Sequence, residues 1–387
     1  MIYFDYAATT PIDKQVLKAM LPYFANRFGN PSSVHCYGQE AESAVDLARR
    51  KIATFLGCQM NEAIFTSGAT ESNNLAITGV MNAVRSKWLI HKPNIITSLL
   101  EHPSVLEAVR QLEQDGVKVY YIKPEKNGIV DANKIAKVIN KNTALVSIIY
   151  ANNVIGTIQP IVEISKVIKE HRKHDTRNSS FKFPFFHTDA TQAINYLNTK
   201  VNDLKIDLLT LSGHKIYGPK GIGVLYVRDG VPLRPILYGG GQERGLRSGT
   251  LNVPLIVGLS KAIELAGLEI NNRKIDEIKK LRDALIDNIL KIEGSILGGS
   301  RDKRLVNNAY FSFENISAEE LIISLDLAGV AVSSGPACSA KAITTSATLS
   351  ALNIDNGIRF SLGKFTTKKE IDFVCKILPK IIKRLRS

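Results

Sequence analysis

The alternation of short apolar runs with helical patterns between residues 63 and 227 constrains this chain more than any other feature. Runs at 63–66, 94–97, 118–122, 144–150, 185–188, 204–211 and 223–227 have the length and apolar content of strands. Amphipathic patterns at 71–86, 103–114, 131–139 and 161–171 separate most of them. Parallel strands need long crossovers, which such helices supply. The reading is therefore α/β, with a seven-stranded, mainly parallel sheet covered on both faces. Helical patterns at 15–24 and 39–56 precede the series, and the polar first half of 171–186 reads as a surface insertion. A long helical stretch, 255–292, then leads to a smaller α+β unit. That unit has a strand at 309–313, a helix at 318–328, a loop through Cys338, a strand at 358–361 and a last helix from Lys368. The basic end of that helix suits the helix dipole. The expected division is a large domain of residues 14–253 and a small one of residues 1–13 and 254–387.

The turns after the strands hold the residues with chemistry, as expected where ligands gather at the carboxyl ends of a parallel sheet. The stretch Ser212-Gly213-His214-Lys215-Ile216-Tyr217-Gly218-Pro219-Lys220-Gly221-Ile222-Gly223 sits between two strand-like runs. A desolvated lysine there has its neutral amine available for Schiff-base chemistry, and pyridoxal phosphate is the cofactor that most often uses one. The alternative is a lysine that snorkels from a sheet edge. Ser67-Gly68-Ala69-Thr70 marks a strand-to-helix turn, where exposed N–H groups hold a phosphate or simply form an N-cap. His102 follows another strand, placed to stack on a ring, to move protons, or to start a helix. Asp189 ends the run 185–188 and is placed to face a pyridinium nitrogen, with Gln192 reaching a phenolic oxygen; it is equally a helix N-cap. The glycine-dense segment 239–250 ends in Thr250, another candidate phosphate donor. Cys338 lies among small polar neighbours, the setting of a reactive thiol or of an inert surface cysteine. Arg359, inside a strand pattern, suits a bidentate grip on a carboxylate or a structural ion pair.

Bulk properties narrow the class further. The 387 residues have room for two domains and a large core. The four cysteines form no CxxC pair, which argues against a disulfide framework or a zinc site and fits a reducing cytoplasm. The first residues are too short and acidic for a signal peptide, and no run reaches membrane-spanning length. The formal charge of +14 favours acidic proteins, RNA or phosphorylated ligands, but a lysine-rich solvated surface explains it more simply. No motif with interleaved aromatics points to direct nucleic-acid binding.

Taken together, DYAATTP, GNPSSVH, TSGATESNN, EHPSV, NNVIGTIQP, HTDATQ, SGHKIYGPKGIG, GGGQERGLRSGTLN, SSGPAC and IRFSLGKFTT stand in one order along the whole chain. In this the chain resembles the cysteine desulfurases of the NifS/IscS type, within the class V aminotransferase group of pyridoxal-phosphate enzymes of fold type I. The resemblance implies that Lys215 binds the cofactor aldehyde, that His102 stacks on the ring and helps move protons, and that Asp189 and Gln192 address its nitrogen and phenolic oxygen. It implies that Ala69, Thr70, Ser212 and His214 hold the phosphate, joined by Thr250 from the other subunit of a homodimer. Asn153 and Arg359 would bind the substrate carboxylate region. Cys338 would take sulfur from L-cysteine as a persulfide, releasing alanine and supplying an acceptor for iron–sulfur cluster assembly or tRNA thiolation.

Three departures from the family pattern stand out. Val154 replaces a common glutamate after the paired asparagines, which removes a bond near Asn153 and lowers the expected activity. Pro336 replaces a small serine, stiffening the approach to Cys338. The segment from Cys338 to Arg359 is short, and the chain ends directly after the last helix, so docking to an iron–sulfur scaffold is less firmly implied than the reaction. A selenocysteine lyase or sibling aminotransferase, and a non-catalytic module that keeps the fold, are the competing readings.

Overall fold

The structure, a computed structural model, describes residues 1–87, 89–175, 181–270, 274–335, 346–354 and 357–386. Twelve strands are present among them. They are β1 (Ile2–Tyr3), β2 (Ala63–Thr66), β3 (Asn94–Ser98), β4 (Lys118–Ile122), β5 (Thr143–Ser147) and β6 (Phe185–Asp189), followed by β7 (Leu208–Ser212), β8 (Gly223–Val227), β9 (Ser295–Gly298), β10 (Asn308–Phe313), β11 (Val330–Ala331) and β12 (Ile358–Ser361). Seven form one sheet in the order β2-β8-β7-β6-β5-β3-β4. β8 runs antiparallel to both its neighbours, and the other pairings are parallel. The α/β expectation is met in strand number and direction.

Side chains alternate between the two faces of each strand, so every strand feeds two cores. Ile64, Ile95, Leu145, Leu208 and Leu225 pack with the helical layer Val80–Ser86 and Pro103–Gln114. Their neighbours Phe65, Ile96, Val146, Leu209 and Val224 pack on the opposite side with Val45, Ile52 and Ile263. The helix Cys36–Leu56 shows why such a segment forms. It buries Ala41, Val45, Ala48, Ile52 and Leu56 along one stripe, starts on His35 Nδ1 accepting from Gly38 N–H, and ends on Gly57 at φ 69°.

A second core surrounds the antiparallel sheet β12-β10-β9 and the parallel pair β1–β11. β1 and β11 are too short to read from sequence, and β9 has a half-exposed pattern. The expected helix 255–292 is two helices, Val253–Ile270 and Lys274–Ile289. The first buries Ile256, Leu259 and Ile263 in the core of the large sheet, packed on the helix Cys36–Leu56, and the second buries Ile278, Leu285 and Ile286 in the core of the small one, so one periodic stretch serves two cores. The expected strand 204–211 begins later. Val201–Leu204 is a helical turn, Lys205 is left-handed at φ 56°, and buried Asp207 is held by Arg172, Arg228 and Phe186 N–H.

Residues 1–13 join the two sheets. β1 pairs with β11, Phe4 O accepts from Ser361 N–H, and Thr10 N–H donates to the His214 carbonyl. Asp13 Oδ2 then accepts from Lys364 Nζ at 2.6 Å. The opening segment, expected to be a short extended stretch and a turn, is thereby one wall of the space above the large sheet.

Candidate active site

A cavity of about 460 Å³ opens above the carboxyl ends of the central strands. It is lined by Lys215, His102, Ala69, Thr70, Asn153, Asp189, Gln192, Ser212, His214 and Arg359, so ten of the twelve residues singled out from sequence converge there. Thr250 is exposed and does not line this cavity. Cys338 and Pro336 lie outside the described residues.

Lys215 comes from the turn after β7. Its Nζ donates to the carbonyls of Ala7 and Ala8 at 2.7 and 2.6 Å, and Asn195 Nδ2 fixes its own carbonyl at 2.9 Å. Gln192 Nε2 donates to the same Ala7 carbonyl at 3.0 Å. These carbonyls gave no signal in the sequence, because any residue type supplies one. His214 Nδ1 lies 3.2 Å from Thr9 Oγ1, and burial, Lys215 and Lys220 push its imidazole down to about 4.

Asp189 ends β6 and is buried. Its Oδ1 accepts from Thr191 N–H at 2.9 Å and its Oδ2 from Asn73 Nδ2 at 2.8 Å. His102 caps the helix Pro103–Gln114, its Nδ1 accepting from Ser104 N–H at 3.1 Å with Ser104 Oγ at 2.8 Å. Burial holds this imidazole below its ordinary value, Asp189 opposes the shift and Lys215 adds to it. Asn73 and Ser104 were not singled out from sequence. Both sit inside motifs noted for other residues, and neither has a titratable group to attract attention.

The helix that begins at Ala69 supplies a built anion cradle. Gly68 precedes it at φ 153°, and a Cβ there would stand 3.9 Å from Ser212 Oγ, inside the space between the helix start and β7. Gly223 on β8 allows the approach, since a Cβ on it would meet the Gly68 Cα at 2.8 Å. Glu71 is committed elsewhere. Burial raises its carboxyl, but Arg247 and Ser67 N–H more than offset that and leave it below its ordinary value. The small-residue turn, the hydroxyl of Ser212 and the N–H groups of the first helical turn form a donor set for a phosphate. Two buried atoms of residues lining the same cavity, Thr191 Oγ1 and Arg359 Nε, have no partner within the protein. This donor set, the lysine and the buried carboxylate fit pyridoxal phosphate.

Arg359 is 1% exposed. Its Nη2 pairs with Asp5 Oδ1 at 2.7 Å and its Nη1 donates to the Asn153 carbonyl at 2.8 Å. Next to Asn153, Val154 packs with Ile155, Tyr310 and Leu349. An apolar contact therefore occupies the place where a carboxylate was expected to be missed.

A seven-stranded α/β sheet with a lysine, a carboxylate and an anion cradle at one cavity defines the fold type I class of pyridoxal-phosphate enzymes. Residues 2–374 match the family model described as aminotransferase class-V, and the chain belongs to that family. It is 44% identical over 392 residues to the protein named cysteine desulfurase IscS of Dictyoglomus turgidum, covering 100% of this chain and 95% of that one. A solved structure titled NifS-like protein superposes with a TM-score of 0.90 at 36% identity, covering 99% of both chains. Another, titled SspA in complex with cysteine, gives 0.79 at 37% identity over 95% of this chain and 100% of that one.

Proposed function

We propose that this chain is a pyridoxal-phosphate-dependent cysteine desulfurase. The observation that carries the proposal is the convergence of Lys215, Asp189 and Arg359 on one cavity of about 460 Å³, in a chain that matches relatives of that name over its whole length. Pyridoxal phosphate, when bound, supplies an electron-accepting ring that lets the carbon beside an amino group give up a proton. The chain's own residues do the rest. Gly68, Ala69, Thr70, Ser212 and His214 would hold the phosphate, Asp189 would face the ring nitrogen, and His102 would cover the ring. Gln192 would address the phenolic oxygen, Arg359 and Asn153 would orient the substrate carboxylate, and Lys215 would move the α-proton. The C–S bond of L-cysteine breaks and an S–S bond forms on Cys338, so cysteine and a thiol become alanine and a persulfide.

The same reading assigns residues 14–253 to a cofactor-binding domain and residues 1–13 with 254–387 to a smaller one bearing Cys338. It also makes the enzyme a cytoplasmic homodimer in which Thr250 completes a partner's phosphate site. Exposed Phe24, Phe28, Val34, Tyr37 and Tyr238 support a covering surface of that kind. The persulfide would go to an acceptor protein of iron–sulfur assembly or tRNA thiolation. No helix among the described residues is long and apolar enough to cross a membrane.

The test is incubation with L-cysteine and a reducing thiol. Alanine and sulfide should appear in equal amounts, Lys215→Ala should lose the yellow colour, and Cys338→Ala should lose sulfide release. Full turnover by the Cys338 variant, or a colourless wild-type protein, would remove the proposal.

A further inference from the structure

Asn73 lies in the first turns of the helix after β2, fully buried, and touches two groups that belong to different parts of the site. Its Nδ2 is 2.8 Å from Asp189 Oδ2 and 2.8 Å from Ser104 Oγ. An ionised carboxylate only accepts, so the amide must turn its NH2 toward Asp189. One of the two N–H groups then serves Asp189 and the other serves Ser104. The Ser104 oxygen is thus an acceptor toward Asn73, and its single proton is left for His102 Nδ1 at 2.8 Å. The backbone N–H of Ser104 donates to the same nitrogen at 3.1 Å. With two donors directed at Nδ1, the imidazole proton must sit on Nε2.

We propose that Asn73 is a positioning residue. Anchored on Asp189, it orients the Ser104 hydroxyl and so fixes His102 as the neutral tautomer that presents Nε2–H to the cavity. His102 then offers the cavity a hydrogen-bond donor and an uncharged ring face. Protonating Nδ1 would set its proton against the Ser104 backbone N–H and require the Ser104 hydroxyl to turn its own proton away, a turn that Asn73, donating to the same oxygen, restricts. The charged groups facing the ring are Asp189 from β6 and Lys215 from the turn after β7. Glu101, next in sequence, points its Oε1 at Ser98 Oγ and Ile149 N–H instead. The relay exists in the protein itself, and only its use in catalysis rests on the proposed function.

The test is a pH titration of the full-length protein, isotope-labelled at histidine nitrogens, read by imidazole nitrogen shifts with and without added pyridoxal phosphate; a His102→Gln spectrum assigns the signal. Wild type should show the proton on Nε2 and stay neutral below the ordinary midpoint. In Asn73→Ala the Ser104 hydroxyl is free to turn its proton away from His102 Nδ1, and the midpoint should rise by about one unit, the worth of one hydrogen bond. Ser104→Ala should move it in the same direction, and Ser104→Thr should restore it. A wild-type proton on Nδ1, or a midpoint unmoved in both alanine variants, overturns the relay. If the relay is seen but pyridoxal phosphate adds no colour, the functional reading fails and the relay stands.

Discussion

Arg359 Nη2 and Asp5 Oδ1 form an ion pair at 2.7 Å although 354 residues separate them. The pair ties β12 to the segment that carries the Ala7 and Ala8 carbonyls, and so to Lys215. A guanidinium this deeply buried is tolerable only while it is paired.

Asp5→Ala should therefore destabilise the protein by about 3 kcal/mol, the usual cost of leaving a buried charge alone. Asp5→Asn, which keeps an acceptor, should lose less. Denaturant melts of the two variants check this, and equal, negligible losses would show that the pair is dispensable. If Arg359 also grips a substrate carboxylate, the KM for L-cysteine should rise in both.

Arg49 and Glu243 anchor the glycine-dense segment in the same way. Two bonds of 2.6 and 2.9 Å join them, Glu243 also accepts from Phe65 N–H at 2.8 Å, and the Arg49 guanidinium lies 4.6 Å from the Phe65 ring centre. Arg49→Ala leaves the buried Glu243 carboxylate with the Phe65 N–H but without its counter-ion, so a loss of ~3 kcal/mol is expected. Arg49→Lys should recover only part of it, because one ammonium cannot match a bidentate fork. Thermal unfolding of both variants decides the ranking.

Gly68→Ala should weaken cofactor binding at least tenfold. A φ of 153° with ψ −177° belongs to a region that side-chain-bearing residues enter at a cost of about 1–3 kcal/mol. The new methyl would also occupy the space facing Ser212. Titration of pyridoxal phosphate followed by visible absorbance measures this; unchanged affinity would move the phosphate elsewhere.

Glu101 supplies a pH test. Burial pushes its carboxyl up to about 8, hydrogen bonds from Ser98 and Ile149 N–H pull the other way, and Asp189 adds to the rise. The folded protein therefore holds a proton that the unfolded chain releases near its ordinary value of 4.5. Between those two values the folded state binds more protons, so stability falls as pH rises, by at most ~1.4 kcal/mol per unit for one proton. Glu101→Gln removes the proton exchange and should flatten that slope. Denaturant midpoints at pH 5 and pH 8 compare the two proteins, and identical slopes would show that Glu101 is ionised in the fold.

Much of this molecule was legible in its amino-acid order. The seven runs between residues 63 and 227 correspond to β2 through β8, because six are short apolar segments buried throughout and the seventh, β4, is an apolar strand at the sheet edge. Lys215, Asp189 and His102 could be singled out because their side chains are chemically distinctive and each ends or follows a strand. Arg359 stood out as a charge within an apolar strand. Cys338 remains a sequence-based assignment, outside the described residues.

Tertiary structure decided what those residues touch. Ala7 and Ala8 act through carbonyl oxygens, which every residue possesses, so only the path of residues 1–13 reveals their role. Asn73 and Ser104 matter because a strand end and two helix starts meet within hydrogen-bond reach. The stretch 255–292 keeps one periodicity throughout, yet its halves bury their apolar stripes in different cores. Local sequence sets backbone preference and chemical type. Which donor meets which acceptor depends on distances between segments far apart in the chain, and the folded arrangement alone fixes those.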